Sequence, residues 1–190
     1  PVTLNSVISQ TLTPVCVLVV DDHSTDRTAE VVRSYMDKYP FVDYLFHNGN
    51  HQYGLGSPVV KAFHKGKEFL LSKKYSFDYL VKLDADINFS PDTFEETWKF
   101  LKKQDVSCGI LSNVPYFNIN GKKKYRISPE WHTNGSFKVY NLRCLNEIGG
   151  LKTELGWDCA DNIMAMEKNW QTFVIPYLNH ELTRPIGRFS

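Results

Sequence analysis

The sequence has no pair of cysteines at C-x-x-C spacing. Its four, Cys16, Cys108, Cys144 and Cys159, are widely scattered. That pattern argues against a disulfide framework or a zinc site, and Cys16 and Cys108 lie in apolar runs where buried reduced thiols are expected. Charge of one sign is equally lacking: 22 Lys and Arg against 21 Asp and Glu leave a net charge of +1. No general electrostatic case therefore exists for a nucleic acid or an anionic membrane as partner. The one basic cluster, Lys122-Lys123-Lys124 with Arg126, follows Asn120-Gly121 and reads as a solvated loop. No apolar run approaches the ~20 residues of a membrane-spanning helix, and no signal peptide is visible. The expected compartment is the cytoplasm, with peripheral association at the inner face of the membrane left open.

What is present is an ordinary globular composition, 42% hydrophobic and 23% charged over 190 residues. That length suits one domain with a sizeable core, so residues 1–190 are expected to form a single unit. Val15 to Val20 is a continuous apolar, β-branched run, the mark of a strand buried on both faces. Helical spacing follows from Ala29 to Met36 after a cap at Thr25 or Asp26, then a short strand from Phe41 to Phe46. A Gly- and Asn-rich loop leads to a helix over Val59 to Leu71, with Pro58 at its first position. Phe77 to Leu83 is the next strand, a helix opens at Ser90-Pro91-Asp92, and Val106 to Leu111 is a further strand. Strand and helix alternating in this order predict right-handed crossovers and an α/β fold with a mostly parallel sheet sandwiched by helices. Beyond residue 112 the chain turns polar and aromatic. A hairpin or ordered loop is expected over 113–133, a strand at Val139-Tyr140, and a helix over Leu142 to Ile148 stopped by Gly149-Gly150. A helix over Asp158 to Asn169 and a strand over Gln171 to Pro176 close the pattern.

Three acidic sites fall at or near element ends: Asp21-Asp22, Asp84-Ala85-Asp86, and Asp158 with Asp161. Each alone is explained by capping or turn formation. Together they are harder to dismiss, because the first two directly follow apolar strands and a parallel sheet would gather them on one edge. Hard oxygen ligands of this kind suit Mg²⁺ or Mn²⁺ with a phosphorylated substrate.

These residues carry a resemblance. Val19-Val20-Asp21-Asp22-His23-Ser24-Thr25-Asp26-Arg27-Thr28 is similar to the "VDDGSTDGT" segment of family 2 glycosyltransferases, with His23 and Arg27 at the usual glycines. Lys82-Leu83-Asp84-Ala85-Asp86 resembles that family's D-x-D strand end. Asn134-Gly135-Ser136 through Tyr140, Arg143 and Ile148-Gly149-Gly150-Leu151 resembles its "G…R…IGG" block. Gly156-Trp157-Asp158-Cys159-Ala160-Asp161 stands at its base motif, followed by Asn169-Trp170 where the family has Gly-Trp.

The resemblance implies a GT-A, Rossmann-like fold and inverting transfer of a sugar from a nucleoside diphosphate donor to an acceptor hydroxyl. It divides the chain into a nucleotide-sugar-binding half, 1–112, and an acceptor and catalytic half, 113–190. Asp21 and Asp22 would bind the nucleobase, with a UDP-sugar favoured, and Lys61 would approach phosphate. Asp86, with Asp84, would hold Mg²⁺ or Mn²⁺, joined by His180 near the C-terminus. Such a cation stabilises the leaving diphosphate. Asp158 is the implied general base, with Asp161 one helical turn away as its competitor. Trp131, His132, Gly135 and Trp157 would face a glycan or lipid-linked acceptor. Arg184 or Arg188 would meet the diphosphate.

Two departures stand out. Trp157 takes the place of the base motif's Glu, and the family's first strand with its nucleoside-contacting turn is not present. Without that strand a central sheet edge would be exposed, so a longer N-terminus is expected. The alternatives are a catalytically silent sugar-nucleotide-binding or scaffold domain, and a sugar nucleotidyltransferase. The second of these calls for a Gly-rich N-terminal loop with basic residues, which this sequence does not contain.

Overall fold

The computed structural model describes residues 1–47, 57–73, 75–104 and 107–184. A short helix α1 (Val2–Ile8) leads to strand β1 (Val17–Asp21), helix α2 (Thr28–Met36) and strand β2 (Val42–Phe46). Asp26 sets the entry to α2 by accepting from the Thr28 amide at 2.9 Å and its hydroxyl at 2.6 Å, the turn chemistry of an Asp ahead of a helix. Helix α3 (Ser57–Ser72) returns to strand β3 (Tyr79–Leu83), which runs through the D-x-D turn into strand β4 (Ile87–Phe89). Helix α4 (Thr93–Lys103) buries Thr93, Thr97 and Leu101 along one stripe. Strands β5 (Cys108–Ile119) and β6 (Lys122–Tyr125) form a hairpin whose tip, Asn120-Gly121, has φ of 52° and 79°. Both values are positive, as a two-residue hairpin turn with Asn-Gly requires. Strand β7 (Phe137–Asn141), helices α5 (Leu142–Glu147) and α6 (Trp157–Glu167), and strand β8 (Gln171–Leu182) complete the order.

The strands do not make the mostly parallel sheet that the alternation predicts, although the α/β class stands. β1 and β2 form a parallel ribbon of their own. The other six strands form a second sheet in the order β3-β7-β5-β8-β4, with β6 on β5. There only β5–β8 is parallel, whereas β3–β7, β5–β7, β4–β8 and β5–β6 are antiparallel. The reason lies after residue 112: a hairpin and a loop, not a helical crossover, carry the chain from β5 to β7, and parallel pairing needs the crossover. Among the described residues β1 and β3 each lie at the end of their sheet, with one edge carrying no strand.

Side chains join the two sheets. On α3, a Cβ at Gly66 would come within 2.9 Å of Val20, while Phe63 packs on Tyr140 of β7 with ring centroids 5.7 Å apart. One core cluster gathers Ile87, Leu111, Phe137 and Ile175, and a second gathers Val60, Ile110, Tyr140 and Leu145. Gly109 lets α5 close on β5, because a Cβ there would meet Cys144 Sγ at 2.6 Å and Trp170 Cβ at 2.8 Å. All four cysteines are free, and burial pushes the Cys108 and Cys144 thiols up to about 12. Among the described residues no helix is long and apolar enough to cross a membrane.

Candidate functional site

β3 delivers Asp84 to the edge of the larger sheet, and the Asn134–Ser136 loop receives it. The Asp84 amide donates to the Ser136 carbonyl at 2.9 Å. Lys82, on the same face of β3, donates to the Gly135 carbonyl at 2.6 Å and pairs with Asp84 Oδ1. Asp84 and Asp86 keep 39% and 29% of their side-chain surface open to solvent. Asp86 is held through its backbone, its carbonyl accepting from the Thr183 amide at 2.9 Å and hydroxyl at 2.7 Å. Arg184 Nε lies 3.4 Å from Asp86 Oδ2.

The same loop receives the start of α6. Gly135 leaves little room for a side chain: a Cβ would stand 3.2 Å from Asp158 Cβ and Oδ2 and 3.3 Å from the Trp157 ring. Its hydrogen atom is what lets Asp158 approach the D-x-D edge. Gly156 turns the chain into α6 with φ 83°, a conformation glycine adopts without a Cβ penalty. Asp158 is half-buried at that first turn.

Asp161, the competing base, is placed differently. Its carboxylate is fully buried and accepts from Lys138 Nζ at 2.7 Å on each oxygen, from the Tyr140 hydroxyl at 2.6 Å and from Asn162 Nδ2 at 3.1 Å. A carboxylate that accepts four hydrogen bonds and has no exposed surface is closed to an incoming hydroxyl. Lys138 also donates to the Asp158 carbonyl at 2.7 Å, so the pair pins the first turn of α6 to β7. Burial pushes the Lys138 amine down despite the pull of Asp161, and burial together with Asp161 holds the Tyr140 hydroxyl well above its ordinary value.

His180 is also corrected. It is fully buried on β8, stacked on Phe137, with Nε2 2.7 Å from Ser136 Oγ and Nδ1 against Asn113 Oδ1. Both ring nitrogens are engaged and burial pushes it down to about 3, so it braces the Ser136 loop and offers no lone pair to a cation. Among the described residues no group of three or more His, Cys, Asp or Glu side chains is arranged to hold a metal.

Asp21 and Asp22 divide their roles. Asp21 is buried, accepting from the Ser24 amide at 2.8 Å and the Tyr44 hydroxyl at 2.6 Å. Burial alone would raise its carboxyl, and these bonds outweigh that and hold it low. Asp21 thus shapes the turn, and Asp22, 3.2 Å from His23 Nδ1, stays part-exposed. Lys61 is exposed on α3. The Gly54-x-Gly56 loop before it and Arg188 lie outside the described residues. Trp131 is 40% exposed and its ring lies 5.6 Å from that of His132, and the segment is tied to α6 by Thr133 Oγ1 on Asn162 Oδ1 at 2.7 Å.

Sequence reading missed Lys82 and Lys138. The signal was available, since each is a single charge inside an apolar strand and a charge buried in such a run needs a partner.

Comparison with known proteins identifies the family and the fold. Residues 1–155 match the model of glycosyl transferase family 2. An uncharacterised glycosyltransferase of Mycoplasma genitalium is 30% identical over 154 residues, covering 75% of this chain and 48% of the relative. Another, from Escherichia coli strain K12, is 28% identical over 103 residues, 54% of this chain and 26% of that one. The chain thus spans half or less of the length of these relatives. Two solved structures share the fold. A mannosyltransferase of Pyrobaculum calidifontis in complex with GDP-Man and Mn²⁺ has a TM-score of 0.68 at 19% identity, covering 98% of this chain and 53% of that one. GalNAc-T7 with UDP, GalNAc and Mn²⁺ has a TM-score of 0.70 at 12% identity, covering 94% and 40%. The chain belongs to glycosyl transferase family 2 and carries its GT-A fold.

Proposed function

We propose that this chain supplies the donor site and the general base of an inverting glycosyltransferase. It would act on a nucleoside diphosphate sugar and an acceptor hydroxyl of a glycan or lipid-linked acceptor. The observation that carries this is the convergence of Asp84, Gly135 and Asp158, three segments distant in sequence, around one half-open edge. Residues 1–112 supply the nucleotide side through Asp22 and the D-x-D edge, and residues 113–190 supply the base and the exposed Trp131 for an acceptor. The two structural neighbours hold GDP-Man or UDP, which supports a nucleotide-sugar donor, and Asp22 would accept from a nucleobase that offers an N–H, as uracil N3 does.

The donor set at the edge fits a hard divalent cation. Asp84 and Asp86 are solvent-reaching carboxylates, and Mg²⁺-type ions bind through one or two carboxylates plus substrate phosphates. Bound there with the diphosphate, Mg²⁺ or Mn²⁺ supplies Lewis-acid stabilisation of the leaving group. Asp158, on the far side of Gly135, takes the acceptor proton as its oxygen attacks the anomeric carbon. The carbon–diphosphate bond breaks in the same step, which inverts that centre. Lys138 and Asp161 hold the base in position without touching substrate.

The test is sugar-nucleotide turnover in Asp158→Asn. Loss of a general base lowers the rate by about 10²–10⁴-fold, while nucleotide binding, read by thermal shift with Mn²⁺, stays at the wild-type value. Wild-type turnover by the variant overturns the base assignment. Binding without turnover by the wild-type protein overturns the transferase reading and favours a silent sugar-nucleotide-binding domain.

A further inference from the structure

Lys82 and Lys138 stand directly opposite each other across β3 and β7. Their side chains are 8% and 0% exposed, and their ammonium groups lie 5.2 and 5.5 Å from the centre of the Trp157 ring. Like charges directly opposite destabilise a strand pair, and a cation leaves water only when paired. Lys138 is accounted for by the buried carboxylate of Asp161. Lys82 has no such private partner. Its carboxylate is Asp84 of the site edge, and its other bond, to the Gly135 carbonyl, is to the loop that abuts the base. Its neighbours in β3, Leu80, Val81 and Leu83, are apolar. Packing alone would be better served by another such residue.

We propose that Lys82 is a built-in counter-cation of the D-x-D edge, competing with a divalent ion for Asp84 and holding that ion weakly until an anionic diphosphate arrives. The inference rests on the reading of this edge as the metal and donor site. Lys82 occupies one oxygen of Asp84 and reduces the charge of the Asp84–Asp86 pair from two negative to about one. Arg184 is 75% exposed, and water screens its contribution. A diphosphate restores the missing negative charge, so nucleotide and cation strengthen each other's binding reciprocally. Lys82 is a positioning residue in this scheme, since it acts through Asp84.

The experiment is Mn²⁺ binding to the full chain, followed by the electron paramagnetic resonance signal of free Mn²⁺, with and without UDP or GDP. In Lys82→Met and Lys82→Gln, Mn²⁺ alone binds at least about ten-fold tighter, because removing one positive charge a few ångströms from a divalent ion has that effect even at the dielectric of water. The enhancement of Mn²⁺ binding by nucleotide shrinks by a similar factor, and Lys82→Arg keeps the wild-type values. Structural damage loosens a site, so a gain of affinity separates the proposed role from mere loss of packing. Unchanged or weaker Mn²⁺ binding in both neutral variants overturns the proposal while leaving the metal site intact. Absence of Mn²⁺ binding in wild type and variants, with or without nucleotide, overturns the metal assignment as well.

Discussion

Replacing Asp161 by Asn tests whether this acid is structural or catalytic. In the native protein its carboxylate meets Lys138 Nζ twice at 2.7 Å, with both side chains at 0% exposure. An amide retains one acceptor and turns an NH₂ toward a donor, either Lys138 or Tyr140, so the buried ammonium loses most of its compensation. Breaking such a pair from one side costs about 3–5 kcal/mol, a large share of the ~5–15 kcal/mol that holds a typical domain together. Lys138→Met alone leaves the carboxylate unpaired and should cost about as much. The double variant Lys138→Met with Asp161→Leu removes both charges and should recover most of the loss. A residual cost of about 1–2 kcal/mol is expected from the Tyr140 hydroxyl that has lost its acceptor. Urea denaturation of the wild type, Lys138→Met, Asp161→Leu and their double variant closes the cycle, with a coupling energy of about 3 kcal/mol or more expected. The fraction of Asp161→Asn that remains folded should turn over substrate, in contrast to Asp158→Asn. A loss below ~1 kcal/mol in both single variants, or a double variant no more stable than either single, refutes the buried-pair reasoning.

Two further outcomes follow from the same packing. His180 stays neutral in the native protein because burial pushes it down to about 3, whereas the unfolded chain takes up a proton near pH ~6.5. The native state therefore binds fewer protons below that value. Stability should be complete above pH ~6.5 and fall by about 1.4 kcal/mol per pH unit on acidification, a slope that His180→Gln removes from urea midpoints measured between pH 7.5 and about 5. Identical slopes in the two proteins would contradict it. Gly109→Ala places a methyl group 2.6 Å from Cys144 Sγ and 2.8 Å from Trp170 Cβ, and thermal denaturation should show a loss of about 1–3 kcal/mol; an unchanged midpoint refutes the close approach.

The sequence made some elements legible and hid others for identifiable reasons. Val15 to Val20 and Phe77 to Leu83 announce β1 and β3 because unbroken apolar runs have few other uses. Asn120-Gly121 announces the hairpin tip through its turn chemistry. β4 went unseen because Ile87-Asn88-Phe89 is too short to establish a period. The last strand is expected over Gln171 to Pro176, stopping at a residue that cannot donate to a ladder. In the structure the ladder with β5 breaks between Ile175 and Asn179 and then resumes, and this bulge brings His180 into the core. At the site, Asp84, Asp86, Gly135 and Asp158 were legible as motif residues. What motifs could not convey was which acid is buried: Asp161 and Asp158 look alike in sequence, and only the lysine on a distant strand separates them.

Among the described residues the ribbon of β1 and β2 shares no hydrogen-bond ladder with the larger sheet. Its described attachment is made of side chains, among them Leu18 and Val20 under α3 at Gly66 and Val17 against the core cluster of the larger sheet. Backbone ladders propagate cooperativity, whereas side-chain contacts let one unit open without unfolding its neighbour. Asp22 stands just beyond the end of β1, so in the proposed function the nucleobase corner is set against the D-x-D edge through those side-chain contacts. Substitutions under α3, far from any ligand, become a means of tuning how tightly the donor is held.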